Sequence, residues 1–219
     1  MESSTSLLDH LGGLDKNNLS NIIQHLGNNE EPEHNYPTSY YFNIEDYISQ
    51  IPKNDSIFSV ISLNIECLSA KFDKLCAFLQ ILCDSNIRFS AIVIQETWLP
   101  ENFDYSFYSI PGYNAIYQGY VCGKKGGLIT YVEEKFTISR RNLYTHSRHW
   151  EGLFIDIMHD NLSKKIILGN IYRPPRDNNS NKQIDLFLEP MSSILEDISK
   201  ENSNIICIGN MIFKPISLS

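Results

Sequence analysis

The sequence predicts an α+β protein in which two sheets pack face to face with helices outside. Three observations carry this expectation. Short runs alternate apolar and small polar residues, as strands do; two longer segments carry apolar residues at helical spacing; and the order is strand, helix, strand, several strands in series, helix, strand. There is no internal repeat.

At 219 residues the chain is long enough for one domain with a real core plus an arm. Hydrophobic residues make up 42% and aromatics 11%, a globular composition rather than a disordered one. The formal charge of −8 is unevenly placed: residues 1–57 hold two Lys/Arg against nine Asp/Glu, a balance of −7, and the remainder is nearly neutral. A general nucleic-acid coat protein needs a basic excess, because phosphate contacts supply most non-specific affinity. This chain has none, so any meeting with DNA is expected through a local cleft.

Residues 1–56 read as an acidic, mostly flexible arm, and residues 57–219 as the domain. Within the arm, Leu7–Leu11 and Leu19–Leu26 have helical spacing, Gly12 and Gly13 interrupt it, and Pro32 and Pro37 mark a solvated linker. From Phe58 to Asn64 the alternation predicts a strand, and Lys71 to Cys83 a helix with its apolar stripe at 72, 75, 78, 79 and 82. Ala91 to Gln95 is a short buried strand. Pro111 and Gly112 turn the chain into a strand at Asn114–Tyr117. Gly126-Gly127 precedes a strand at Leu128–Val132, where a close backbone approach is needed. Thr137–Asn142, Glu151–Met158 and Lys164–Tyr172 continue the β pattern. A helix then opens at Asn178 and runs through Ile184, Phe187, Leu188, Met191, Ile194, Leu195 and Ile198, with a kink or break predicted at Pro190. Asn204–Ile208 is the last strand, apolar enough to be buried on both faces.

The five cysteines are odd in number and form no C-x-x-C pair, which points to free thiols in a reducing compartment. Cys76 and Cys83, seven apart in a helical pattern, are expected in the core. His10, His25, His34, His146 and His149 are expected at the surface. No apolar run approaches the ~20 residues of a membrane span, and the N-terminus lacks a secretory signature. The expectation is a protein with no membrane partner, intracellular (cytoplasmic or nuclear) and not secreted.

Several short motifs fall in a telling order: Ser62-Leu63-Asn64 and Gln95-Glu96-Thr97-Trp98 each close a strand; Pro111-Gly112-Tyr113, Gly126-Gly127 and Trp150-Glu151 follow; then come Gly169 to Pro175 (GNIYRPP) and a strand ending in Gly209. This set resembles the endonuclease/exonuclease/phosphatase superfamily. More narrowly, it is similar to the apurinic-type endonuclease domain that precedes the reverse transcriptase in LINE-type (non-LTR) retrotransposon polyproteins. The resemblance covers about Phe58 to Phe213. It implies a four-layer α/β-β/α sandwich and a metal-dependent DNA endonuclease, a phosphodiester hydrolase using Mg²⁺, with Mn²⁺ as the alternative. On that resemblance Glu96 matches the metal-binding glutamate, Asn64 the strand-end asparagine that supports the metal, and Tyr172 the tyrosine that contacts phosphate. Taken without the motif order, the three read as a surface glutamate, a turn former and a strand-end aromatic.

The match breaks at the last strand. Where active members carry Gly-Asp-Phe-Asn, this chain has Gly209-Asn210-Met211-Ile212, so Asn210 is a degenerate catalytic position: it keeps the shape of an aspartate without its charge. Ile212 replaces an asparagine and makes no hydrogen bond. The family's terminal Ser-Asp-His motif is missing before Ser219. The resemblance therefore implies a sandwich incomplete at its C-terminus, impaired or lost catalysis, and self-association through unpaired strand edges. Two other functions stay open: a non-catalytic nucleic-acid-binding or interaction module, and a phosphatase acting on a small phosphate ester.

Overall fold

The structure, a computed structural model, describes residues 44–50, 58–120, 125–142, 149–174 and 181–211. Eight strands and three α-helices follow in the order α1 (Ile44–Gln50), β1 (Val60–Asn64), α2 (Leu68–Asp84), β2 (Ala91–Gln95), β3 (Tyr113–Gln118), β4 (Leu128–Glu133), β5 (Thr137–Arg140), β6 (Glu151–Met158), β7 (Lys165–Arg173), α3 (Asn181–Ser199) and β8 (Ser203–Met211). They form two four-stranded sheets, β1-β2-β4-β3 and β5-β6-β7-β8. Each sheet is antiparallel except for one pair, β1 with β2 and β7 with β8, and each parallel pair is joined by a helix. A parallel neighbour requires such a crossover. The molecule therefore contains two βαβ units, one per sheet.

Three apolar clusters separate four layers. Leu68, Leu75 and Leu82 of α2 meet Ile92 and Ile94 of β2 and Ile129 and Tyr131 of β4. Between the sheets lie Ala91, Val93, Leu128 and Val132 against Leu153, Ile155, Ile157, Ile166 and Leu168. Behind the second sheet, Trp150, Phe154, Ile167 and Ile171 meet Phe187, Met191, Ile194 and Ile198 of α3. This is the α/β-β/α sandwich expected. Each fully buried Leu, Ile or Phe contributes roughly 1.5–3 kcal/mol, so the helices are held by these stripes rather than by intrinsic propensity.

The periodicities explain the elements. In β2 even-numbered residues face α2 and odd-numbered ones face the other sheet, hence all five positions are buried. Helix α2 ends in a Schellman motif: Asn86 takes φ 58, and the amides of Asn86 and Ile87 bond the carbonyls of Cys83 and Leu82. The buried leucines of α2 sit at 68, 75 and 82, which turns Cys76 and Cys83 away from that face. Cys76 is half-buried and Cys83 exposed, correcting the expectation that both are core residues. All four described cysteines are free.

Helix α3 runs through Pro190 without a break. Pro190 and its neighbours Leu188 and Glu189 are exposed, so the hydrogen bond lost at the ring lies on the side where water can replace it. Seven residues of the span expected to be an arm form α1, whose Tyr47 stacks on Phe89 at 6.4 Å. Residues 1–43 lie outside the described residues, as do His10, His25, His34, His146 and Ile212. His149 is half-buried. Among the described residues no helix is long and apolar enough to cross a membrane.

Candidate active site

Strand parity positions the site. Asn64 shares a face of β1 with Val60 and Ser62, Tyr172 shares one of β7 with Ile166, Leu168 and Asn170, and Asn210 shares one of β8 with Ile206 and Ile208. In each strand that face is the one turned to the opposite sheet. Asn64, Tyr172 and Asn210 are the last or near-last residues of their strands, and Glu96 immediately follows β2. All four therefore stand at the C-terminal ends of the two parallel pairs, where the apolar interface between the sheets runs out. Ligands of open α/β sheets bind outside such strand ends.

The side chains of three of them meet. Asn64 Nδ2 donates to Glu96 Oε1 at 2.9 Å. The Tyr172 phenol faces the Glu96 carboxylate from the other sheet, close enough for that charge to act on it. Asn210 lies beside Tyr172 in the β7–β8 register, and Glu151 lies beside it on the other side in β6. Glu96, Glu151 and Tyr172 are buried, whereas Asn64 is exposed, so the cluster opens to solvent along β1. Burial pushes the Tyr172 phenol well above its ordinary value, reinforced by the charges of Glu96, Glu151 and Glu66.

The backbone around this cluster is unusual. Glu66 (φ 44), Cys67 (φ 80), Glu96 (φ 56) and Trp98 (φ 57) are four of the five non-glycine residues with positive φ among the described residues. They occupy the two loops that follow β1 and β2. Such conformations cost energy for residues with a Cβ and concentrate at functional sites. Here they are held by interlocking backbone bonds: Cys67 N–H to Glu96 O at 2.9 Å, Leu68 N–H to Thr97 O at 3.0 Å, and Ile65 N–H to Gln95 O at 3.0 Å.

One residue that sequence reasoning left without a role lies directly beneath. Asn170 is fully buried in β7, and its Nδ2 reaches the carbonyls of Ile94 (3.0 Å) and Ile129 (3.1 Å) and Oγ1 of Thr130 (3.3 Å) in the other sheet. Its Oδ1 accepts from Gln95 Nε2 at 2.9 Å. The signal was present in the sequence: a lone amide in an otherwise apolar strand buried on both faces needs partners.

The donor set can be tested against the divalent cation that the family resemblance implies. Among the described residues no group of three or more His, Cys, Asp or Glu could cage a metal. Among those residues an all-protein zinc or calcium centre does not fit. Mg²⁺ or Mn²⁺ does, because Mg²⁺ takes one or two carboxylates, prefers hard oxygen and keeps most of its waters. Glu96 and the amide oxygen of Asn64 are of that kind.

No family model matches the sequence, and no curated protein matches it. Solved structures do. The catalytic domain of human Nocturnin with bound sulfate anion matches at a TM-score of 0.52 and 10% identity, over 69% of this chain and 62% of that one. The catalytic domain of Xenopus laevis APE2 matches at 0.50 and 15% identity, over 69% and 57% respectively. The chain thus spans about three fifths of the length of these structures. Both are members of the endonuclease/exonuclease/phosphatase superfamily. This chain has that superfamily's fold. At these identities the likeness establishes the endonuclease/exonuclease/phosphatase architecture and leaves the chemistry to be argued from the residues above.

Proposed function

We propose that the chain is a metal-dependent phosphodiester hydrolase domain of retrotransposon origin, a DNA endonuclease by descent whose turnover is impaired. The observation that supports this most is the convergence of Asn64, Glu96 and Tyr172 from two sheets at the mouth of their interface. Glu96 and Asn64 would hold Mg²⁺ or Mn²⁺. When bound, the cation supplies charge neutralisation at a phosphate oxygen. The Tyr172 hydroxyl, kept protonated by its surroundings, is a hydrogen-bond donor available to Glu96 or to a phosphate.

Impairment is argued at Asn210. An amide at the end of β8, beside Tyr172, neither orients water as an anion nor takes its proton. Loss of a general base forfeits ~10²–10⁴-fold in rate. The retroelement assignment rests on the order of motifs, in particular Gln95 to Trp98, the Gly126-Gly127 pair and the GNIYRPP run. The same amide favours a second reading, a domain that binds DNA in its cleft without cutting it.

The test is Mg²⁺-dependent nicking of supercoiled plasmid and of abasic-site DNA, run beside a gel-shift titration. The expected result is binding that Glu96→Ala weakens, with little or no nicking. Rapid turnover by the unaltered chain, abolished by Glu96→Ala, would refute impairment. Indifference of both binding and nicking to Glu96→Ala would refute the site.

A further inference from the structure

We propose that Glu151 is the positioning residue for Glu96, acting through the glycine pair Gly126-Gly127; the assignment rests on reading Glu96 as the metal-binding carboxylate. Glu151 opens β6 on the same face as Leu153, Ile155 and Ile157, and only 4% of it is exposed. A carboxylate at the edge of an apolar interior is costly unless hydrogen bonds receive it. Its Oε2 accepts from the Gly127 amide at 2.6 Å.

The fit between this carboxylate and the loop depends on bare backbone. A Cβ at Gly126 would lie 2.6 Å from Glu151 Oε1 and 2.8 Å from Oε2, and one at Gly127 would lie 2.4 Å from Thr97 Oγ1. Both glycines also have positive φ, +105 and +81. Their carbonyls carry the hold onward. Gly127 O accepts from Thr97 N–H at 3.1 Å and Gly126 O from Trp98 N–H at 2.8 Å. These bonds extend the β2–β4 ladder past its last paired residues, Gln95 and Leu128.

Thr97 and Trp98 are the residues that Glu96 leads into. A glutamate at φ 56 keeps that conformation only where its surroundings over-determine it. On one side the loop after β1 bonds the carbonyls of Glu96 and Thr97. On the other side the glycine pair bonds the amides of Thr97 and Trp98, and Glu151 anchors the glycine pair. Remove that anchor and the left-handed turn loses one of its two supports. The Glu96 carboxylate then has no fixed approach to Asn64 or Tyr172.

The test uses the full chain with Glu151→Gln, Glu151→Leu and Glu96→Gln. Amide hydrogen exchange is followed residue by residue, and Mn²⁺ affinity is measured by electron paramagnetic resonance. In Glu151→Leu, exchange at Thr97 and Trp98 should accelerate about tenfold or more, the low end of what a hydrogen bond to a charged group contributes, while Ile92 to Ile94 stay protected. Mn²⁺ affinity should fall about as much. Glu151→Gln retains an acceptor for the Gly127 amide, so it should recover most of both effects, with a residual acceleration of about threefold. Should the leucine variant fail to fold, that residual acceleration in the glutamine variant decides the matter. Unchanged exchange at Thr97 and Trp98 in the folded variants would overturn the proposal. So would a loss of Mn²⁺ affinity that Glu151→Gln fails to rescue, because that would make Glu151 a ligand. Mn²⁺ binding indifferent to Glu96→Gln would overturn the metal reading instead, and the exchange pattern would still decide the hold of Glu151 on the turn.

Discussion

Asn64 and Glu96 are joined by a 2.9 Å hydrogen bond from the asparagine amide to the glutamate carboxylate, across two parallel strands that end side by side. The bond has a direction: the amide gives and the carboxylate takes. Replacing the donor by an acceptor should therefore be more harmful than simply deleting it.

In Asn64→Asp two carboxylates would face each other within hydrogen-bond distance, and they do not both ionise readily. One is held above its ordinary pKa in the folded state. By linkage its stabilising contribution is present at acid pH and lost as the pH rises through the folded value. Thermal melts should show a midpoint that climbs on mild acidification and climbs again on adding Mn²⁺ at neutral pH. The unaltered chain should lack the acid-side gain. A flat midpoint under both conditions would mean that residues 64 and 96 are not in contact.

Alkaline pH probes both sheets, through Tyr131 of β4 and Tyr172 of β7. Burial pushes the phenols of Tyr131 and Tyr172 upward, and for Tyr172 the Glu96 charge adds to it. A folded pKa above the unfolded value of ~10 means stability is intact below that value and falls as pH rises beyond it, by up to ~1.4 kcal/mol per pH unit for each group. Urea unfolding should show this decline, and Tyr172→Phe should make it shallower. An equal slope in the phenylalanine variant would place the Tyr172 hydroxyl in water.

Asn170→Ala should destabilise the protein by about 2–4 kcal/mol, since it removes a buried group with four partners and leaves Gln95 Nε2 without its acceptor from β7. The urea midpoint reads this directly. A cost below about 0.5 kcal/mol, the range of ordinary surface substitutions, would show that the amide does not bridge the sheets.

The thiols offer a fourth check. Hydrogen bonds from the Ser69 side chain and the Ala70 amide lower the pKa of Cys67, whereas burial raises that of Cys76. Iodoacetamide at mildly alkaline pH, followed by peptide mass spectrometry, should modify Cys67 ahead of Cys76. Equal rates at the two would contradict the loop geometry after β1.

Much of this arrangement was legible in the sequence, and the limits are instructive. The strand cores and the strand-end positions of Asn64, Glu96 and Tyr172 follow from alternation and from residues that stop it. Periodicity is local information. What it lacked was the partner across the sandwich: a lone Asn170 in an apolar strand signals a need for partners, but neither it nor Glu151 identifies them until the opposing backbone is known. The cysteines of α2 were misplaced because one residue step turns a helix by roughly 100°, enough to pass the core face to Leu75 and Leu82. Helix α1 was missed because seven residues make a marginal helix alone, and the stacking of Tyr47 on Phe89 is a tertiary contact.

The Asn170 tie has a mechanical corollary. Asn64 and Glu96 ride on one slab of the sandwich and Tyr172 on the other, so relative sliding of the slabs would pull the trio apart. A bolt of four hydrogen bonds, seated just under the trio, blocks that shear. Any opening or closing of the mouth must then come from the rim segments, while the jaws themselves stay at constant gauge.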